Sequence, residues 1–142
     1  SSFYRTEPAG IADQPWFVNA AASLETELEP TELVRGLSAI EREMGRPDQR
    51  IKDGPRLIDL DLLLWGDRVI ESDQLSLPHP RLHLRRFALT PLAEIAPFAL
   101  HPRLGKTISE LLAGLDDSSK VEKLGPVKLV RGEKEQPATS SE

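Results

Sequence analysis

The chain has 142 residues, 39% hydrophobic and 29% charged, with a formal net charge of -5 and no cysteine. That size suits one domain around a single core. Acidity without a basic stripe argues against general nucleic-acid binding, the lack of cysteine excludes disulfides and thiolate chemistry and suits a reducing cytosol, and no run approaches the roughly 20 apolar residues of a membrane helix. A soluble, cytoplasmic protein that binds neither nucleic acid nor membrane is expected.

The predicted elements begin with a strand over residues 1–6, already under way at Ser1-Ser2-Phe3-Tyr4, followed by a loop from Glu7-Pro8-Ala9-Gly10 to about Pro15. Residues 17–27 (FVNAAASLETE) read as a second strand. From Pro30 to Met44, Leu33, Leu37, Ile40 and Met44 fall at helical spacing, with Pro30 suited to the first helical position and Gly45 to the stop. Residues 46–56 (RPDQRIKDGPR) read as an exposed loop, 57–65 as a strand, Gly66-Asp67 as a turn, and Arg68 to Glu71 as its short returning partner. After the Pro-His-Pro loop at 78–80, Leu84, Phe87, Ala88, Leu92 and Ile95 keep helical spacing, limited or kinked by Pro91. Thr107 and Glu110 fit a capping box for a last helix near 108–115. The expected organisation is one domain over residues 1–131 and a disordered tail over 132–142, where GEKEQPATSSE has almost nothing to bury.

The chemistry centres on GPRLIDLDLLLWGD, residues 54–67. On an extended chain Asp59 and Asp61 share one face, opposite Ile58, Leu60, Leu62 and Leu64, with the two carboxylates roughly 7 Å apart along the backbone. Either that face is simply solvated, or the pair holds a hard cation such as Mg²⁺ against substrate phosphates. Aspartate is depleted from strands, which favours the second reading. Arg46, Arg50, Lys52 and Arg56 precede the pair, and His79, Arg81, Arg85 and Arg86 lie beyond the next hairpin. Metal beside arginine implies a nucleotide polyphosphate. Taken singly, Arg46, Arg50, Arg81 and Arg86 read as surface side chains; His79 is equally an ordinary loop histidine, and Phe17 and Phe87 read as core packing. No Walker-type glycine loop, G-x-G-x-x-G or G-x-S-x-G occurs.

Four ordered blocks, SSFYRTEPAG, DQPWFVNAAASLET, GPRLIDLDLLLWGD and LPHPRLHLRRFALTPLAEIAP, together resemble the 6-hydroxymethyl-7,8-dihydropterin pyrophosphokinase family of folate biosynthesis, with coverage from Ser1 to about Leu115. The resemblance implies an α+β, ferredoxin-like sandwich with a mainly antiparallel sheet. It implies a monomeric, ATP-dependent diphosphokinase that passes pyrophosphate from ATP to the pterin's hydroxymethyl oxygen and releases AMP. By matching position, Asp59 and Asp61 resemble the ligands of two Mg²⁺ ions. Arg56, Lys52 and Arg85 resemble catalytic contacts to the triphosphate, and with Glu41, Leu62, Ser76, His79 and Pro80 they resemble the ATP site. Phe17 and Phe87 resemble the two rings that sandwich the pterin, Asn19 the amide that reads its edge, and Thr6, Glu7 and Ala9 the remaining wall.

Two departures accompany the resemblance. Asp48 and Asp53 stand in the loop where the family carries arginines and a tryptophan, which implies weaker catalysis more than weaker binding. Family members also open with a strand, a Gly-Ser-Asn turn and a helix ahead of the part that resembles Ser1, so a longer natural chain is expected, with that first strand central in the sheet. A catalytically weakened pterin- or nucleotide-binding protein or inactive fragment is the alternative; a two-metal nuclease or phosphatase fits the aspartates but not the aromatic and asparagine pattern.

Overall fold

A computed structural model describes residues 1–7, 16–45, 58–117 and 119–126. The 46–56 loop with Lys52 and Arg56, the 8–15 loop with Ala9, and the tail over 132–142 lie outside the described residues.

Strand β1 (Ser2–Thr6) alternates buried and exposed residues, so Ser2, Tyr4 and Thr6 face inward while Phe3 and Arg5 face out. It is the centre of a three-stranded antiparallel sheet in the order β2-β1-β7, with β2 at Phe17–Asn19 and β7 at Val121–Pro126. Two short hairpins complete the pairing: β3 (Ile70–Glu71) with β4 (Ser76–Leu77), and β5 (Leu100–His101) with β6 (Lys106–Thr107). The architecture is α+β, and every described ladder is antiparallel.

Helix α1 (Pro30–Glu43) matches its predicted span, with Pro30 at the first position and Gly45 beyond its end at φ 97, a left-handed conformation natural to glycine. Its apolar stripe is only partly covered: Ile40 and Met44 are exposed, and its buried residues are Pro30 and Glu41. Helix α2 (Arg86–Ile95) runs through Pro91 rather than stopping there, and Leu84 lies outside it, exposed in a preceding 3₁₀ turn. Helix α3 (Ile108–Ala113) has the expected box, with Glu110 N–H donating to Thr107 Oγ1 at 3.1 Å and Thr107 N–H to Glu110 Oε1 at 2.8 Å. Leu82, Leu89, Leu92, Ile108 and Leu111 form the core between α2 and α3, with Leu63, Leu64 and Ala21 packed on it.

Three predicted strands change. The strand expected over 17–27 ends at Asn19, because β1 offers pairing partners only from Tyr4 to Thr6. Residues 58–65 make no described ladder, although Ile58 to Leu62 keep the alternation that exposes Asp59 and Asp61. From Leu63 to Trp65 the alternation gives way to half-buried residues, as Leu63 and Leu64 turn onto the core. The returning strand shrinks to β3 and pairs forward with β4, although the turn itself is present, with Gly66 at φ 54 and Arg68 N–H bonded to the Trp65 carbonyl at 3.0 Å.

Candidate functional site

Asp59 and Asp61 are both exposed, and the peptide between them is held from α1: Leu60 N–H donates to the buried Glu41 carboxylate at 2.6 Å. From the other side His79 N–H donates to the Leu63 carbonyl at 2.8 Å, tying the Pro-His-Pro loop to the aspartate segment. His79 Nδ1 accepts from Arg81 N–H at 3.1 Å, which leaves Nε2 as the nitrogen that carries the proton of the neutral ring. Its pKa is lowered by burial first and then by Arg85 and Arg81, against an opposing pull from Asp61. The influences of Arg85 and Asp61 on His79 put these three residues within one electrostatic neighbourhood. The Arg85 guanidinium lies 5.3 Å over the Phe87 ring, so the cationic loop continues directly into the first turn of α2.

The sheet supplies a second cluster. Thr6 pairs with Phe17 and Tyr4 with Asn19 across the β1–β2 ladder, and residues directly opposite in such a ladder project to the same face. Asn19 Nδ2 donates to the buried Thr6 Oγ1 at 2.7 Å, which fixes the amide orientation, while Phe17 is 55% exposed and free to meet a flat ligand. Helix α2, which carries Phe87 in its first turn, packs on both strands. Glu7 is committed to β7: its N–H bonds the Lys120 carbonyl at 3.0 Å and its carboxylate accepts Lys120 N–H at 3.0 Å.

The remaining expected residues are more dispersed. Leu62 and Ser76 are half-buried and Pro80 is exposed, with Ser76 in β4 ahead of the Pro-His-Pro loop. Glu41, which the resemblance sets near the nucleoside, bonds the backbone between the aspartates, an interaction across a loop that no local pattern encodes. Arg86 is not merely a surface side chain: its Nε donates to the Asp117 carbonyl at 2.8 Å, close behind the end of α3. The sequence reading missed Glu94, which gathers Ser2 and Tyr4 from β1; only its place seven residues after Phe87 on one helix could have drawn attention to it.

Asp59 and Asp61 fit a hard divalent cation: both are exposed, closely spaced oxygen donors. Among the described residues no group of three or more acidic, histidine or cysteine side chains gathers to hold a metal, so two carboxylates would leave most of an octahedral shell to phosphate oxygens and water, as Mg²⁺ prefers.

One buried and one half-buried imidazole, His101 and His79, give the fold a pH dependence. His101 is 3% exposed, and its Nδ1 accepts from Arg103 N–H at 3.3 Å and Leu104 N–H at 3.2 Å, bonds that only the unprotonated nitrogen can make. Burial, followed by His83 packed edge-on at 6.1 Å and by Arg103, lowers its pKa, as burial does for His79. Both histidines therefore bind protons less readily folded than unfolded, so their stabilisation is present above the ordinary value of 6.5 and is lost as pH falls below it. The thermal midpoint should drop between about pH 6.5 and pH 5, and His101→Asn, which keeps an acceptor without titrating there, should flatten that drop. Equal slopes for the two proteins would remove His101 from the account.

Fold and site together define an α+β protein in which the segment of an exposed acidic pair is tied to a histidine-bearing cationic loop, and that loop leads into α2, which packs on the strands of the Thr6 and Asn19 cluster. A model of the 7,8-dihydro-6-hydroxymethylpterin-pyrophosphokinase family matches residues 1–97, and the chain belongs to that family. It is 46% identical over 116 residues to a 2-amino-4-hydroxy-6-hydroxymethyldihydropteridine pyrophosphokinase of Synechocystis sp., covering 82% of this chain and 58% of that one. It is 44% identical over 126 residues to the protein of the same name from Haemophilus influenzae, covering 89% and 77%. It is also 46% identical over 95 residues to a folate synthesis bifunctional protein of Arabidopsis thaliana, covering 67% of this chain and 20% of that one. The chain thus spans little more than half of the Synechocystis relative. Among the described residues no helix is long and apolar enough to cross a membrane.

Proposed function

We propose that the protein, as a cytoplasmic monomer organised as one domain over residues 1–131, transfers pyrophosphate from ATP to the hydroxymethyl group of 6-hydroxymethyl-7,8-dihydropterin and releases AMP. The observation that supports this reading is that α2 adjoins two chemically distinct clusters: Arg85 at its start with the guanidinium over Phe87, and Thr6, Phe17 and Asn19 on the strands it packs against. Family membership supports it.

Asp59 and Asp61 would hold two Mg²⁺ ions, and the chemistry these would supply is neutralisation of the triphosphate's charge. His79 donates from Nε2 to a phosphate oxygen, and Arg85 pairs with the triphosphate while its flat face rests on Phe87. Lys52 and Arg56 add positive charge from the preceding loop, and Leu62, Ser76 and Pro80 line the nucleotide side. Glu41 serves that side indirectly, through the Leu60 peptide. Phe17 and Phe87 stack on the two faces of the pterin. Asn19, its amide oriented by Thr6, bonds the pterin edge.

With ATP, Mg²⁺ and the hydroxymethyl pterin, the chain should release AMP in proportion to pyrophosphorylated pterin. A folded protein that binds the pterin without releasing AMP would support the alternative of a catalytically weakened binder, the outcome that Asp48 and Asp53 in the basic loop would favour.

A further inference from the structure

We propose that Glu94 is a positioning residue for the pterin subsite, holding the sheet that carries Thr6, Phe17 and Asn19 at a fixed separation from the helix that carries Phe87. The inference rests on the functional reading above and deepens it.

Three donors of β1 converge on this one carboxylate. Ser2 N–H reaches Oε1 at 3.1 Å and Oε2 at 3.0 Å, Ser2 Oγ reaches Oε2 at 3.1 Å, and the Tyr4 hydroxyl reaches Oε1 at 2.5 Å. The ionic character of the grip is visible from both partners. The hydrogen bond from Tyr4, then those from Ser2, and Lys123 opposite on β7 hold the Glu94 carboxyl below its usual range, while burial and the Glu94 charge push the Tyr4 hydroxyl up to about 12. Charged acceptors make shorter and stronger bonds than neutral ones, so this contact resists sliding.

The position of the clamp gives it leverage on the subsite. Ser2, Tyr4 and Thr6 alternate along the buried face of β1, and Asn19 and Phe17 pair with Tyr4 and Thr6, so the gripped side chains and the proposed pterin contacts lie on one face of one ladder. Glu94 and Phe87 are seven residues apart on α2, which at 3.6 residues per turn returns nearly the same helix face about 10 Å along the axis. Gripping the Ser2–Tyr4 end of the strand therefore sets how the Phe87 end of the helix stands over Thr6 and Phe17. A ring sandwich tolerates little error: its two walls must stand roughly 7 to 8 Å apart, twice a van der Waals contact. A displacement of about 1 Å made at a distance is enough to cost on the order of 10²-fold.

The nucleotide side has its own ties, Leu60 to Glu41 and His79 to Leu63, and none of them passes through Glu94. A positioning role consequently predicts a split between the two substrates that a general loss of stability would not produce. With the full chain, Glu94→Ala should raise the pterin KM and weaken pterin binding by calorimetry about tenfold or more, and raise the ATP KM several-fold less, because Arg85 is the one proposed nucleotide contact at the start of α2. Glu94→Gln, which keeps an acceptor for Tyr4 and Ser2, should lie close to wild type, and Tyr4→Phe should fall between them. A lowered thermal midpoint with unchanged pterin KM and affinity in Glu94→Ala, or equal rises in both KM values, would overturn the assignment. A wild-type chain that binds the pterin without turnover would defeat the enzymatic reading alone, with the clamp then judged by pterin affinity; a wild type that neither binds nor turns over would defeat both.

Discussion

Asp59→Ala and Asp61→Ala are each expected to lower AMP release by on the order of 10³-fold, with little change in thermal midpoint. The magnitude follows from the several kcal/mol that metal charge stabilisation contributes to a phosphoryl transition state, at about 1.4 kcal/mol per tenfold in rate. The mild effect on stability follows from the exposure of both side chains, whose truncation opens no core cavity. Binding of a non-hydrolysable ATP analogue should lose its Mg²⁺ dependence in both variants. Full turnover in either one, with the fold intact, would take that residue out of the metal site.

The second large effect is expected at Glu41. Its carboxylate is 6% exposed and accepts Leu60 N–H at 2.6 Å, so it holds the peptide that joins the two aspartates. Glu41→Ala removes that acceptor and should cost about 1 to 3 kcal/mol in chemical denaturation. It should also let the aspartates drift from their paired geometry, lowering turnover by roughly 10²-fold. Glu41→Gln retains an oxygen acceptor and should recover most of both losses. If Glu41→Ala loses stability but keeps its rate once folded, the bond to Leu60 supports the chain without aligning the metal ligands.

The helices were legible in the sequence because their signals are local. Pro30, the spacing of Leu33, Leu37, Ile40 and Met44, and Gly45 lie within a few turns of one another, and they bracket α1 to within a residue of its observed end. The same holds for Thr107 and Glu110 at α3. The family signature was also written in the chain, in ordered blocks around Phe17, Asn19, Asp59, Asp61, His79, Arg85 and Phe87. The strands were less legible, since a strand exists only where another segment supplies hydrogen bonds. Val121–Pro126 has little pattern of its own and becomes β7 because the edge of β1 is open to it; residues 58–65 have the stronger pattern and make no described ladder.

By itself the sequence determined the family, where the helices run, and that two aspartates share one face, because side-chain type and short-range periodicity are properties of neighbouring residues. Only the tertiary structure decided that Glu41 reaches Leu60, that Arg85 lies over Phe87, and that Glu94 grips Ser2 and Tyr4 across 92 and 90 positions of chain. Glu94 finds its bonds on β1 and Glu41 its bond on the segment just before Leu63 and Leu64, so their partners are set by how distant parts of the chain dock. No local pattern records that docking, because it is fixed by the burial of Leu82, Leu89, Leu92, Ile108 and Leu111 in a common core.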